Sequence, residues 1–290
     1  MRQLFRRNNV GWLFIIIAVV AISLFYFYPM IRALFLSFQS GMGSSMEYVG
    51  LDNYIRLISD PTFKTALMNT IIYLIIQVPI MIVLALVFSV LLNDATLKFR
   101  GFFRMAIFLP CVTSLVAYSV IFKYMFGVDG IINKFLVDLS IIPEPINWLS
   151  DPFWAKVIII IAITWRWTGY NMIFYLSSLQ NIDNSLYEAA KIDGANSFQR
   201  FTKITIPMLK PIILFTSIIS TIGTLQLFDE VMNITGGGPG NATLSISQYI
   251  YNLSFEYTPD FGYASTVSYV IVVLVVVLSI IQFRVAGDEK

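Results

Sequence analysis

Residues 188–207 read EAAKIDGANSFQRFTKITIP, a polar island inside an otherwise oily chain. Charge and apolar spacing make it a short exposed helix, a glycine break and a second, amphipathic helix. Asn184 or Ser185 is placed to cap the first helix, with Glu188 in its first turn, where a negative charge suits the helix dipole. Leu186, Ala189, Ala190 and Asp193 lie around a rod whose small alanines permit close approach by another protein surface. Gly194 ends it, because glycine takes left-handed backbone angles without steric cost. Phe198, Phe201, Ile204 and Ile206 then recur at roughly helical spacing, and Pro207 and Pro211 mark the return to apolar sequence. From periodicity alone, a helix that merely lies on a membrane surface fits as well.

The flanks of the island set the class. The 290 residues are 57% hydrophobic and 12% charged, with mean hydropathy +0.76, far from the balance of a soluble domain. A bilayer core needs about 20 apolar residues per helix, with every backbone polar group bonded inside the span. Six stretches meet that demand: 11–36, 66–92, 105–126, 153–179, 211–233 and 262–283. The chain therefore reads as all-α and polytopic, one membrane domain over 1–290 with the island in a loop at 181–210. The first stretch is too long and too aromatic for a secretory signal and reads as a span.

Charge gives the orientation. With the N-terminus inside, twelve of the nineteen basic residues fall inside: Arg2, Arg6, Arg7, Lys98, Arg100, Arg104, Lys191, Arg200, Lys203, Lys210, Arg284 and Lys290. Arg32, Arg56, Lys64, Lys123, Lys134 and Lys156 fall outside, and Arg166 lies within the fourth span. This positive-inside bias places both termini and the island in the cytoplasm. The net charge of +2 is too small and dispersed for nucleic acid. The chain has no histidine and a single cysteine, Cys111, so it lacks the commonest general base and metal ligand and any internal disulfide. No metal site and no catalytic residue are expected.

The spacing of the island resembles the EAA loop of inner-membrane permeases in binding-protein-dependent ABC importers: Glu-Ala-Ala, three residues, Gly, nine residues, Ile, one residue, Leu-Pro. Every fixed position matches except that Ile206 stands for the leucine. The run from Glu188 to Ala195 and the sequence Phe228-Asp229 followed by 235–240, TGGGPG, resemble the branch that carries di- and oligosaccharides and glycerol phosphate, on its maltose-type larger subunit. The resemblance implies a type I ABC importer permease fold in a bacterial or archaeal inner membrane. It also implies a homologous second permease, a dimeric cytoplasmic ATPase and an extracytoplasmic solute-binding protein. Glu188, Ala189, Ala190, Asp193, Gly194, Ala195, Ile204 and Pro207 would then form the part that docks on the ATPase. No Gly-x-x-x-x-Gly-Lys-[Ser/Thr] loop is present, so ATP and Mg belong to the partner and this chain binds no cofactor.

Polar residues in spans face a cavity or another helix. Ser217, Ser220, Thr221, Thr224 and Phe228 share one face of the fifth span by i, i+3, i+4 spacing, and Thr164, Thr168, Asn171, Tyr175 and Ser178 one face of the fourth, with Trp167 at its edge. The second span offers Asn69, Thr70, Tyr73 and Gln77, and the third Ser114, Tyr118 and Phe122. Hydroxyls, amides and aromatics without net charge suit a neutral sugar, for which the candidate contacts are Trp167, Thr168, Asn171, Tyr175, Ser220, Thr224 and Tyr118. Arg166 lies opposite the fourth-span stripe, and an ion pair with Asp229 would neutralise it. Close packing of helices explains the same small polar residues, and glycerol phosphate, a polyol or an amino sugar remains an alternative cargo. A secondary transporter would more often show more helices, internal repeats and intramembrane acids, and a membrane scaffold would leave the island's spacing without a purpose.

Overall fold

The computed structural model describes residues 10–41 and 46–287; Arg2, Arg6, Arg7 and Lys290 of the charge count lie outside them. The chain forms two compact units. The first comprises the chain up to Asp60 together with Ile250–Val270. Here α1 (Val10–Ile22) runs through a π turn, Ser23–Phe27, into α2 (Tyr28–Leu36). A two-residue antiparallel ribbon, β1 (Gln39–Ser40) with β2 (Glu47–Tyr48), leads to α3 (Asp52–Ser59).

Buried polar groups tie this unit together. Ser37, fully buried, donates to the Leu34 carbonyl at 2.7 Å and meets the Tyr54 hydroxyl at 2.8 Å. Its own carbonyl accepts from Asn53 Nδ2 at 3.0 Å and from Thr266 Oγ1 at 3.1 Å. Arg56 pairs with Asp260 at 2.7 Å while stacked over the Tyr263 ring, whose hydroxyl donates to Asp60 at 2.6 Å.

The second unit comprises Pro61–Tyr249 and Ile271–Lys290. Its frame is α4 (Pro61–Asn93) packed along α8 (Pro152–Leu179), with α5 (Arg100–Val112) and α11 (Ile206–Leu225) against the same pair. Between them lie α6 (Leu115–Met125), α7 (Ile131–Asp138), α9 (Asn184–Ile192) and α10 (Ser197–Arg200). Further on come α12 (Asp229–Ile234) and most of α13 (Ile246–Tyr251), and the part of α14 (Phe261–Gly287) from Ile271 onward. One buried cluster gathers Tyr73, Tyr118, Phe122, Trp148, Ile159 and Val231; another, nearer the island, gathers Leu86, Met172, Tyr175, Leu179, Ile182 and Leu209.

Among the described residues, five helices are long and apolar enough to cross a membrane, and six if one bent pair counts as a single span. That pair lies where one straight span over 105–126 is expected from hydropathy. Instead α5 stops at Val112 and α6 begins at Leu115, bent by 100°. Thr113 and Ser114 are extended between them, and Pro110, which has no N–H to give, loosens the last turn of α5.

The fifth span also differs from expectation. Its helix runs from Ser197 through a π turn, Phe201–Thr205, to Leu225, so it starts within the island and ends well short of residue 233. Pro207 and Pro211 do not interrupt it. The wider π turn just before Pro207 accommodates a ring that would clash with the carbonyl four residues back.

The second-span polar stripe has a packing role. Asn69 donates to the carbonyls of Asn241 and Leu244 at 3.1 and 3.0 Å, Tyr73 to that of Thr243 at 3.0 Å, and Thr70 accepts from Ile246 N at 3.1 Å. These bonds fix the segment that follows the glycine-rich loop 235–240, and Thr243 in it reaches back to Thr235 at 2.7 Å. Gly237, at φ 85°, takes a left-handed conformation that would strain any side chain.

Candidate functional site

The island folds as two helices around Gly194. The cap of α9 is Asp183 rather than Asn184 or Ser185: its carboxylate accepts from Ser185 N at 2.9 Å. Glu188 consequently sits in the second turn, past the reach of the helix N-terminus. That backbone hydrogen bond, before any other cause, holds the Asp183 carboxyl below the usual carboxylate range. The cap is therefore complete above the ordinary carboxylate pKa and is lost as pH falls through the lowered value. Asp183→Ala is expected to speed amide exchange at Ser185 and Leu186 several-fold at neutral pH, with Asp183→Asn close to the parent.

Gly194 takes φ 78°, and Ala195 N closes back on the Ala190 carbonyl at 2.8 Å, a left-handed helix ending that any side chain would strain. Asn196 and Gln199 then form a reciprocal capping box, each bond 2.8 Å, that starts α10. The two helices face opposite ways chemically. Ile192 and Phe198 are 86% and 74% exposed, an apolar surface with no cover. Tyr187 and Phe201 turn inward onto the Met172–Leu209 cluster, and the Tyr187 hydroxyl meets Thr205 Oγ1 at 2.9 Å. That bond staples α9 to the π turn that begins the long helix. Of the island residues singled out in the sequence, Glu188, Ala189, Asp193 and Pro207 are exposed and Ala190, Ala195 and Ile204 half-buried.

Within the membrane-spanning part, α4, α8, α11 and the start of α12 enclose a cavity of about 540 Å³, inside the range of small-molecule sites. Trp167, Asn171, Ser220 and Thr224 line it, as the stripes lead one to expect. The break after α11 adds Gln226, Phe228, Asp229 and Glu230, and α4 adds Gln77 and Met81. Gln77 Oε1 accepts from Thr224 Oγ1 at 3.1 Å, and Met81 Sδ accepts from Asn171 Nδ2 at 3.3 Å and Gln77 Nε2 at 3.2 Å. Met81 carries no polar signal in sequence, although it lies one turn beyond Gln77.

Three of the proposed contacts lie elsewhere. Tyr175 is fully buried and bonded to Thr216 at 2.7 Å, and Tyr118 packs with Phe122 and Trp165 in the aromatic cluster. Thr168 lines a different, apolar cavity of about 560 Å³ among Ile80, Leu84, Ile107, Ile161 and Trp165. On α11, Thr221 departs from the expected stripe and accepts from Gln282 Nε2 of α14 at 2.8 Å.

The expected Arg166–Asp229 ion pair does not form. Arg166 is 5% exposed and donates through Nη1 to the carbonyls of Pro110 and Thr113 at 3.1 and 3.0 Å, and through Nη2 to that of Cys111 at 3.3 Å. Its guanidinium also lies 4.8 Å from the centre of the Tyr118 ring. The carbonyls left open where α5 breaks thus receive a cation at the negative end of the helix dipole. A broken span was not legible from hydropathy, so its demand for a donor was not either.

Comparison with known proteins places these features. Residues 60–287 match the family described as binding-protein-dependent transport system inner membrane component. The chain is 60% identical over 282 residues to the lactose transport system permease protein LacF of Rhizobium radiobacter, covering 97% of this chain and 95% of that one. It is 33% identical over 289 residues to the trehalose/maltose transport system permease protein MalF of Thermococcus litoralis, covering 99% and 96%. A bacterial ABC transporter involved in the import of the acidic polysaccharide alginate shares the fold, with TM-score 0.86 at 21% identity over 98% of this chain and 97% of that one. With a broken third span, a continuous island-to-span helix and an all-α frame of this topology, the chain belongs to the inner membrane components of binding-protein-dependent transport systems and is an ABC importer permease.

Proposed function

We propose that this permease carries a neutral di- or oligosaccharide, with lactose the first cargo to test, in a complex with a homologous second permease, a dimeric cytoplasmic ATPase and an extracytoplasmic binding protein. ATP and Mg act on the ATPase, and both termini of this chain lie in the cytoplasm. The observation that carries the reading is the physical link between island and cavity. Exposed Ile192 and Phe198 sit on helices stapled by Tyr187–Thr205 to the base of α11, and the same α11 supplies Ser220 and Thr224 to the cavity wall. Closure of the ATPase against Glu188, Ala189, Ala190, Asp193 and Gly194 would push on that base and move the wall. Asn171, Ser220, Thr224 and Trp167 offer a sugar amide, hydroxyl and aromatic contacts. The lactose and trehalose/maltose names of the relatives agree with this chemistry.

The test is uptake of labelled lactose into proteoliposomes holding the assembled complex and its binding protein. Deleting 188–194 is expected to reduce ATP-dependent uptake to background while the two permeases still co-purify. Uptake that survives the deletion would exclude a coupled importer.

A further inference from the structure

Asp229, the first residue of α12, puts a carboxylate in the cavity wall. Among the described residues no hydrogen bond or ion pair holds its carboxylate; only its backbone carbonyl is engaged, by Asn233 Nδ2 at 2.7 Å. Its neighbour Glu230 is 4% exposed, sits beside Tyr118 and lies within electrostatic range of Arg166. Glu230 is thus turned into the protein, and Asp229 is the less buried of the two acids. Arg166 does not line the cavity, and no lysine or arginine does.

A second group in the same wall is unpaired. Asn171, 2% exposed, gives its Nδ2 to the Trp167 carbonyl at 3.1 Å and to Met81 Sδ, while its Oδ1 has no partner. The Asp229 carboxylate and Asn171 Oδ1 are both acceptors, so the complementary ligand brings donors. Sugar hydroxyls and amino groups do so; a carboxylate or phosphate brings only further acceptors and a like charge. That repulsion strengthens as the two like charges leave bulk water.

We propose that Asp229, seconded by Asn171 Oδ1, makes the cavity a charge filter that accepts neutral and amino sugars and rejects uronic acids. This rests on the sugar-permease reading above. The alginate importer has the same fold and carries an acidic polysaccharide. Fold therefore leaves the sign of the cargo open, and the wall residues set it.

Equilibrium binding to the assembled permease–ATPase complex in nanodiscs tests the filter without the binding protein's own selectivity. The probes are lactose and galacturonosyl-glucose, the same disaccharide with a C6 carboxylate. The parent complex is expected to prefer lactose by at least about tenfold. Asp229→Asn is expected to bring the two probes within about threefold, chiefly by gaining affinity for the acid, and Asp229→Glu to keep the preference. A ratio that Asp229→Asn leaves unchanged, or equal binding of both probes by the parent, overturns the filter alone. Binding of neither probe by the parent rejects the sugar reading and the filter with it.

Discussion

Arg166→Leu is expected to lower the thermal midpoint of the purified complex by about 5–10 °C and to leave little functional transporter in the membrane. The guanidinium makes three hydrogen bonds to the carbonyls of Pro110, Cys111 and Thr113 at the α5–α6 bend. Leucine fills much of the volume but leaves those acceptors buried beside apolar surface. Bonds to a charged donor contribute about 1.5–3 kcal/mol each, and part of the loss is recovered by relaxation, so a net cost of about 3 kcal/mol is a fair expectation. Arg166→Lys is expected to recover less than half of it, because one ammonium cannot span three divergent carbonyls as the planar fork does. Combining Arg166→Leu with Asp229→Asn gives a second readout. If the arginine serves the α5 carbonyls, the two changes in stability add; an ion pair with Asp229 would instead show as coupling.

Gly169→Val is expected to abolish recovery of folded permease, with Gly169→Ala already lowering the yield of monodisperse complex. Gly169 is one turn from Arg166 on the face of α8 that meets α5. A Cβ there would overlap the Ile107 carbonyl oxygen and lie 2.8 Å from the Ile107 carbonyl carbon and 2.9 Å from Phe108 Cα. These are backbone atoms of a helix, so no rotamer change relieves the overlap and the two helices must separate. Overpacking in a well-packed core costs about 1–3 kcal/mol per added group, and separation here would also pull the Arg166 donors from their carbonyls. Gly101→Ala is the control. Nothing lies within 4 Å of a Cβ at that position, so near-parental yield is expected, and the comparison by size-exclusion profile removes any general effect of added side chains.

The class and the helix–glycine–helix form of the island were legible in the sequence because each rests on a local pattern. Runs of about 20 apolar residues have few solutions in a bilayer, and a glycine at a left-handed position is hard to replace. What sequence did not reveal depends on partners far along the chain. The bend at 113–114 follows from Pro110 and from a donor 53 to 56 residues away on α8. Helix faces were misjudged for a related reason. Spacing says which residues share a face, yet Thr168 and Asn171, three apart on α8, open onto different cavities. Likewise Thr221 and Thr224 on α11 part company, one to Gln282 and the other to Gln77. In a bundle where each helix has neighbours on several sides, a single turn is enough to change the partner. Asp229 is the acid that the sequence offers Arg166, yet the arginine's Nη1 and Nη2 go to main-chain oxygens instead.

The uninterrupted helix from Ser197 to Leu225 bears on timing. At 1.5 Å per residue, Phe198 and Thr224 are the ends of one beam about 40 Å long. A tilt of about 10° about one end would carry the other through about 7 Å, more than the width of a sugar ring. No loop must order or relax before that displacement arrives, and the only compliant joint is the π turn next to Pro207. A force on Phe198 would therefore travel to Thr224 through helix without a loop to cross, and what the cavity receives would depend on the stiffness of that one turn.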